Sequence, residues 1–205
     1  MAISPPSWVR RFLLWWGLCL AALGGFGSPA LAAEAAFVHP QTQVAFPAQA
    51  KGGFTFQFSK DYESETPHFG YSVRYRHANG TWIDVYVYNP SDTPISADLR
   101  AAPLQKEFQT VLRGIKDVWE SHGNPVTELQ AGEVTSVSRQ QVLQGSARID
   151  IKDRGGMHLT LLQMWPARGF IWKIRATLPI DAYKESKESI DMLCEEMVGL
   201  SQEAL

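Results

Sequence analysis

Residues 71–88 have the sequence YSVRYRHANGTWIDVYVY. Two runs rich in β-branched and aromatic residues flank Asn79-Gly80, a pair that readily adopts the positive φ angles of a two-residue hairpin turn. The stretch therefore predicts an antiparallel β-hairpin. The position of its turn determines which residues of the two strands lie opposite each other.

Counting outward from Asn79-Gly80 puts aromatic and polar side chains on one face of the hairpin. The predicted cross-strand pairs are His77 with Trp82, Tyr75 with Asp84, Val73 with Tyr86, and Tyr71 with Tyr88. This face is either an outward sheet face covered by a loop or helix, or a surface that binds a partner or ligand. For the second role, the candidate partner-binding residues are Tyr75, His77, Trp82, Asp84, Tyr86 and Tyr88.

The other hairpin face carries basic residues, and a later strand carries two more. If residues 70–77 and 170–178 form neighbouring strands, their cations line one surface that can hold an anionic group. Alternatively, their stems cover apolar sheet surface while their charged ends pair with Asp or Glu. The candidate anion-binding residues are Arg74, Arg76, Lys173 and Arg175.

The rest of the chain alternates between strand and helix patterns. Apolar residues recur at three- and four-residue steps over 103–122 and again after Pro179, which predicts two amphipathic helices. Cys194 lies within the apolar stripe of the second helix, so we expect a buried thiol. Further strands are predicted at 54–58, 133–142, 147–152, 157–165 and 170–178.

This order predicts an α+β domain over residues 53–205. Sequential hairpins favour a single antiparallel sheet of six to seven strands, with one helix after strand 3 and one at the C-terminus. We expect residues 33–52, which are rich in Ala and Pro and lack periodicity, to form an extended N-terminal leader. The element order and the motifs Val73-Arg74-Tyr75, Ile83 to Tyr88 and Trp172 to Thr177 resemble the PsbP-like α/β/α sandwich and uncharacterised secreted bacterial proteins. The resemblance implies a non-enzymatic helper or assembly role.

Residues 1–32 have the three parts of a secretory signal peptide. Arg10 and Arg11 precede an apolar run over 12–26, and Ala30-Leu31-Ala32 supplies a small-x-small ending. The run is shorter than the ~20 residues that cross a bilayer. We therefore predict cleavage after Ala32, a periplasmic or secreted location, and no stable membrane span after cleavage.

Composition and motifs exclude several function classes. The chain has 205 residues with 19 Lys+Arg against 21 Asp+Glu, a balance that argues against nucleic-acid binding. Two cysteines are too few for a disulfide framework or a four-thiolate zinc site. No metal-ligand spacing, nucleophile elbow or dinucleotide fingerprint occurs, so we expect no cofactor and no metal and assign no catalytic residue.

Three functional hypotheses remain. The leading one is an exported, non-enzymatic binding or assembly-accessory module that uses the aromatic hairpin face to bind a protein partner. The alternative is a carrier or sensor of a small amphiphilic or anionic ligand. The third is a metal-independent enzyme centred on His77 and Asp84, which requires a cavity at that pair.

Overall fold

The computed structural model describes residues 34–151 and 156–203. They form an eight-stranded antiparallel sheet, a separate two-stranded sheet and two long helices, so the α+β class is confirmed. The predicted signal peptide, residues 1–32, lies outside the described residues. No helix in the described part of the chain is long and apolar enough to cross a membrane.

The elements follow the chain in this order. The strands before the first helix are β1 (Ala35–Val38), β2 (Ala45–Pro47), β3 (Gln49–Ala50), β4 (Phe54–Asp61), β5 (Tyr71–Arg76) and β6 (Trp82–Tyr88). Helix α1 (Ala102–Ser121) is followed by β7 (Val126–Val137), β8 (Gln140–Ile151), β9 (Gly156–Ala167), β10 (Phe170–Pro179) and helix α2 (Tyr183–Gln202). The main sheet has the order β3-β4-β5-β6-β10-β9-β8-β7.

The sheet has eight strands, and the prediction of six to seven was too low. The segment predicted as one strand over 133–142 contains a turn, because Ser138 has a φ of 52° and the chain reverses between β7 and β8. The short strand β3 also adds to the edge next to β4. Helix α1 accordingly follows the sixth strand rather than the third.

Residues 34–50, expected to be part of an extended leader, pack onto the domain. Strands β1 and β2 pair with each other, and Val44 and Phe46 join the core that α2 covers. The ring of Phe46 stacks on that of Trp172, with centroids 5.9 Å apart. Burying this aromatic surface stabilises the segment against the sheet, although its sequence has no clear periodicity.

The hairpin predicted from Asn79-Gly80 is present, but its register differs from the prediction by one residue. The loop has three residues, because the His77 amide donates to the Thr81 carbonyl at 2.9 Å and the Gly80 amide to the His77 carbonyl at 3.1 Å. Gly80 has a φ of 90°, as expected for the left-handed residue that ends such a loop. Arg74 therefore lies opposite Asp84, where Tyr75 was predicted.

A shift of one residue moves every side chain of one strand to the other face relative to its partner. Trp82, Asp84 and Tyr86 consequently share a face with Arg74 and Arg76. The two candidate sets that the sequence separated thus lie together.

Each face of the main sheet is covered by one helix. Helix α2 lies on the face formed by the odd-numbered residues of β5 and β6 and the even-numbered residues of β10, where both Trp165 and Trp172 are fully buried. Helix α1 lies on the other face and buries Phe108 and Leu112. It packs mainly over β7 and β8, so the same face of β5 and β6 is left as the floor of an open groove.

Candidate functional site

Two neighbouring spaces beside α1 are lined by the four candidate anion-binding residues. Strands β5 and β10 are not neighbours as predicted, because β6 is inserted between them. Asp84 on β6 nevertheless faces Arg74 on one side and Arg175 on the other. Lys173 lies two residues from Arg175 on the same face of β10, since side chains alternate along a strand.

Asp84 is the buried centre of this floor. Its carboxylate accepts hydrogen bonds from Arg74 Nε at 2.6 Å and from Arg74 Nη2 at 2.9 Å. Arg175 Nη2 donates to the same carboxylate at 2.8 Å. Only 3% of the Asp84 side chain is exposed, so a single buried negative charge lies between two guanidinium groups.

The positive charge on the floor exceeds the negative charge. Two arginines share Asp84, and Arg76 has no carboxylate within ion-pairing distance among the described residues. Arg175 Nε is fully buried and has no hydrogen-bond acceptor within residues 34–151 and 156–203. An unsatisfied buried donor is costly, so this N–H is an energetic cost that the floor carries.

The groove above this floor has a volume of about 510 Å³. Its lining combines three cationic side chains with four apolar or aromatic ones, and His122 lies at the end of α1. The side chains that line it include Arg74, Arg76 and Arg175, together with Phe58, Trp82, Val118 and Trp119. We call this space the arginine groove.

A second space lies beside it along β10, with a volume of about 460 Å³. Lys173 is its cationic residue on the sheet, with Nζ 4.0 Å from the ring centroid of Tyr86 and 5.1 Å from that of Tyr88. Across the space, Glu107 on α1 accepts a hydrogen bond of 2.8 Å from the Tyr88 hydroxyl. We call this space the lysine pocket.

Burial changes the acid–base properties of the lysine pocket. Burial, together with the nearby positive charge of Arg175, lowers the pKa of Lys173 to about 8. Burial also raises the pKa of Tyr86 to about 12. The Tyr88 pKa is also raised well above its ordinary value, first by burial and then by the charge and hydrogen bond of Glu107. Both phenols are therefore neutral near pH 7, whereas part of the Lys173 amine is already deprotonated at that pH.

Two of the six predicted partner-binding residues lie away from these spaces. Tyr75 is fully buried on the α2 face, where its hydroxyl donates to the Pro47 carbonyl at 3.0 Å. His77 packs against the ring of Phe54 at 5.2 Å. His77 and Asp84 do not form the acid–base pair of the third hypothesis, because the register places arginines at that carboxylate. The proposed enzyme centre at His77 and Asp84 thus loses its geometric basis.

The remaining predicted residues come together. Trp82 lines the arginine groove, Tyr86 and Tyr88 line the lysine pocket, and Asp84 lies beneath them. The predicted aromatic surface is thus the floor of two concave spaces, and the predicted cations are part of the same floor.

Several lining residues were missed by reasoning from the sequence. Phe54, Phe56 and Phe58 occupy alternate positions of the predicted strand, a pattern that predicts one shared face. A β-bulge between Phe56 and Phe58 instead turns Phe58 towards the groove. Its ring lies 5.1 Å from the Arg74 guanidinium carbon. Val118 and Trp119 continue the apolar stripe of α1 after its last buried residue. Apolar side chains at this end of the helix were the feature of the sequence that could have indicated the groove.

The chemistry available in the two spaces is recognition of negative charge next to apolar surface. Guanidinium groups bind carboxylates, phosphates and sulfonates through paired N–H donors, and the aromatic walls contact an apolar body. Among the described residues, no three His, Cys, Asp or Glu side chains are grouped closely enough to bind one metal ion.

The chain was compared with known proteins by sequence and by structure, and a similarity was found by structure. No protein-family model and no curated protein sequence matches the chain. The structure is similar to the solution structure of cyanobacterial PsbP (CyanoP) from Synechocystis sp. PCC 6803, with a TM-score of 0.48 and 17% identity over 84% of this chain and 95% of that chain. This is a similarity of fold alone.

Proposed function

We propose that this chain is an exported, non-enzymatic accessory module that binds an anionic ligand with an apolar body in the arginine groove. The anionic group lies against Arg76 and the guanidinium of Arg175, and the apolar body lies between Trp82 and Trp119. This corresponds to the carrier or sensor hypothesis rather than to a flat aromatic docking face.

The observation that carries the proposal is the excess of buried or half-buried cationic groups around one carboxylate. A structural ion pair needs one cation for each carboxylate, whereas Asp84 is shared by Arg74 and Arg175. A bound anion balances the remaining positive charge, and it can reach the exposed parts of the two arginines, which are 35% of the Arg74 side chain and 27% of the Arg175 side chain.

The shape of the site supports a small ligand. A volume of about 510 Å³ lies within the range of pockets that hold small molecules. Aromatic walls next to a few convergent charged groups are typical of such pockets.

Binding of 1-anilinonaphthalene-8-sulfonate, a fluorescent aromatic anion, tests the proposal. The purified protein should bind it with enhanced fluorescence, and N-phenyl-1-naphthylamine, the same ring system without the sulfonate, should bind about tenfold more weakly. Arg76→Gln should weaken binding of the anion by about five- to tenfold, since one charge-assisted contact is lost. The same variant should leave binding of the neutral probe unchanged.

Arg113→Gln is the matched control, because Arg113 is an exposed arginine on α1 that does not line the arginine groove. It should bind both probes like the unaltered protein. Equal binding of the charged and neutral probes, or equal effects of the two substitutions, would contradict the proposal.

A protein partner is the second candidate, favoured by the apolar rim of the groove. Phe58 is 46% exposed and Val118 is 53% exposed, which is unusual for large apolar side chains beside a charged site. A partner segment that carries an acidic side chain and an apolar neighbour would contact both. Such a partner should co-purify from the native source with the unaltered protein and with Arg113→Gln, and should be lost with Phe58→Ser combined with Arg76→Gln.

Export is part of the same proposal and rests on the sequence of residues 1–32. The protein recovered from the periplasm or medium of producing cells should begin at Ala33, as read by N-terminal sequencing. An intact N-terminus in the recovered protein would contradict cleavage after Ala32.

A further inference from the structure

We propose that Lys173 is a reactive amine that captures aldehydes or ketones with an apolar body in the lysine pocket by forming an imine. This activity goes beyond anion binding in the arginine groove and concerns a different residue and space. Imine formation needs three things: a neutral amine, an apolar space for the carbonyl compound, and a group that accepts a proton.

Two features around Lys173 favour the neutral amine, although the ring faces of Tyr86 and Tyr88 attract an ammonium at its Nζ. The first is that no oxygen atom of the described residues accepts a hydrogen bond from Nζ or forms an ion pair with it. The second is that Arg175 places another positive charge two residues away on the same face of β10. Desolvation and a neighbouring cation are the two means by which proteins activate lysine amines as nucleophiles.

The pocket has space for a carbonyl compound next to the amine. Its volume is about 460 Å³, and Phe69, Pro90 and Val111 provide apolar wall surface. Phe69 is 62% exposed at the rim, which leaves an apolar surface for an entering ligand to contact. An aromatic or aliphatic aldehyde is therefore the class of compound that fits.

The step is balanced by groups within the pocket. The amine nitrogen attacks the carbonyl carbon, and the carbonyl oxygen becomes a hydroxyl as the nitrogen loses one proton. Loss of this hydroxyl with the second nitrogen proton releases one water and leaves a C=N bond. Glu107 lines the pocket and provides the carboxylate that accepts and returns the proton, with the Tyr88 hydroxyl bonded to it.

Charged and titratable groups around Lys173 act in opposite directions. The charge of Arg175 disfavours the ammonium, whereas Glu107 and Asp84 favour it, and the outcome is the lowered pKa of about 8. The further titratable side chains that face the pocket are Tyr62 and His68 from the loop before β5, and Tyr86 and Tyr88 from β6. The rate of imine formation should therefore rise above pH 7 as the neutral amine becomes populated, and it should fall again at high pH, where loss of the hydroxyl lacks the proton that it needs.

Reductive trapping tests the proposal. The purified protein is incubated with 2-naphthaldehyde and cyanoborohydride, and peptide mass spectrometry measures the labelling rate of each lysine from pH 6.5 to 10. Lys173 should be labelled at least tenfold faster than Lys60 at pH 7.5. This ratio should fall above about pH 8, where Lys173 is already neutral and an ordinary lysine amine is still losing its proton. Lys60 is a matched comparison, because its Nζ also lies over a tyrosine ring, at 4.5 Å from Tyr62, but the residue is exposed.

Two variants separate reactivity from folding. Lys173→Arg keeps the charge and should abolish the fast label while 1-anilinonaphthalene-8-sulfonate binding in the arginine groove is retained. Glu107→Gln should move the fall of the Lys173 to Lys60 ratio to lower pH, because the carboxylate charge that favours the ammonium is lost. Labelling of Lys173 no faster than Lys60, or an unshifted fall of the ratio in Glu107→Gln, overturns the proposal and leaves anion binding in the arginine groove unaffected.

Discussion

The two faces of the main sheet are built from alternate residues of the same strands but differ in chemistry. On the α2 face, β6 and β10 contribute Ile83, Val85, Trp172 and Ile174, all at most 1% exposed. On the α1 face, the same two strands contribute Asp84, Tyr86, Lys173 and Arg175. Alternation alone allows one strand to serve a dry core and a charged floor.

The difference lies in how far each helix covers its face. Helix α2, together with β1 and β2, covers a face of large apolar side chains, on which Tyr75 and Trp165 donate hydrogen bonds to the Pro47 carbonyl and the Ser201 hydroxyl. Helix α1 covers the β7 and β8 part of the other face, where it has a core of its own, and leaves the β5 and β6 part open. We therefore expect ligand binding at the open part of the α1 face and the largest stability effects on the fully covered α2 face.

The largest effect is expected from Trp172→Ala. Trp172 is fully buried between Phe46 at 5.9 Å and Trp165 at 6.1 Å between ring centroids, so its removal leaves a cavity and should lower the free energy of unfolding by about 3–5 kcal/mol. Urea unfolding measures the change. Trp119→Ala on the α1 face is the control and should cost about 1 kcal/mol, since that side chain lines the groove. Equal costs would refute the division between the faces.

Asp84→Asn should lower stability and strengthen anion binding at the same time. Two arginines that share the carboxylate are left facing a neutral amide, which should cost about 2–3 kcal/mol because both guanidinium groups retain some solvent contact. The floor also becomes more positive, so 1-anilinonaphthalene-8-sulfonate should bind more tightly. Fluorescence titration beside urea unfolding checks both changes, and weaker probe binding by the folded variant would be the opposite of this expectation.

Acid should destabilise the α2 face through His39. Burial lowers the pKa of His39 from 6.5 to about 4, and its ring packs against Tyr71 at a centroid distance of 4.9 Å. As pH falls below 6.5 the unfolded chain takes up a proton before the folded chain does, so stability is complete above pH 6.5 and is lost between pH 6.5 and 4. The loss from pH 7 to pH 5 should be about 2 kcal/mol.

Unfolding titrations at the two pH values measure this loss, and His39→Gln is the control. The variant cannot titrate at that position, so its loss over the same interval should be smaller by about 2 kcal/mol. An identical pH dependence of the variant and the unaltered protein would assign the acid sensitivity to other groups.

The smallest effect on stability is expected from Phe58→Ala. Phe58 is 46% exposed and contacts the Arg74 guanidinium, so its removal should change the free energy of unfolding by about 0.5–1 kcal/mol. Probe binding in the arginine groove should nevertheless weaken several-fold, since an apolar wall is lost. A large loss of stability without a change in probe binding would show that Phe58 stabilises the core and does not contribute to the arginine groove.

Part of the site was predictable from sequence and part was not. Arg74, Arg76, Lys173 and Arg175 were identified as a possible anion-binding set, because cations at alternate positions of strands point to one face. Arg74 and Arg175 lie on either side of Asp84 because β6 lies between β5 and β10. This strand order is a long-range pairing that local sequence does not encode. Phe58 depends on a bulge, and a bulge of one residue leaves no periodic signal.

The sequence alone determined the hairpin at Asn79-Gly80, the two amphipathic helices and the antiparallel α+β class, since each depends on local periodicity and turn chemistry. Only the tertiary structure decided the register, the strand order and the coverage of each face. A loop of three residues rather than two moved Tyr75 into the core and brought Asp84 to the arginines. The hairpin register depends on which side chains can be buried in the core. The free energy of that burial comes from contacts between residues that are far apart in the chain.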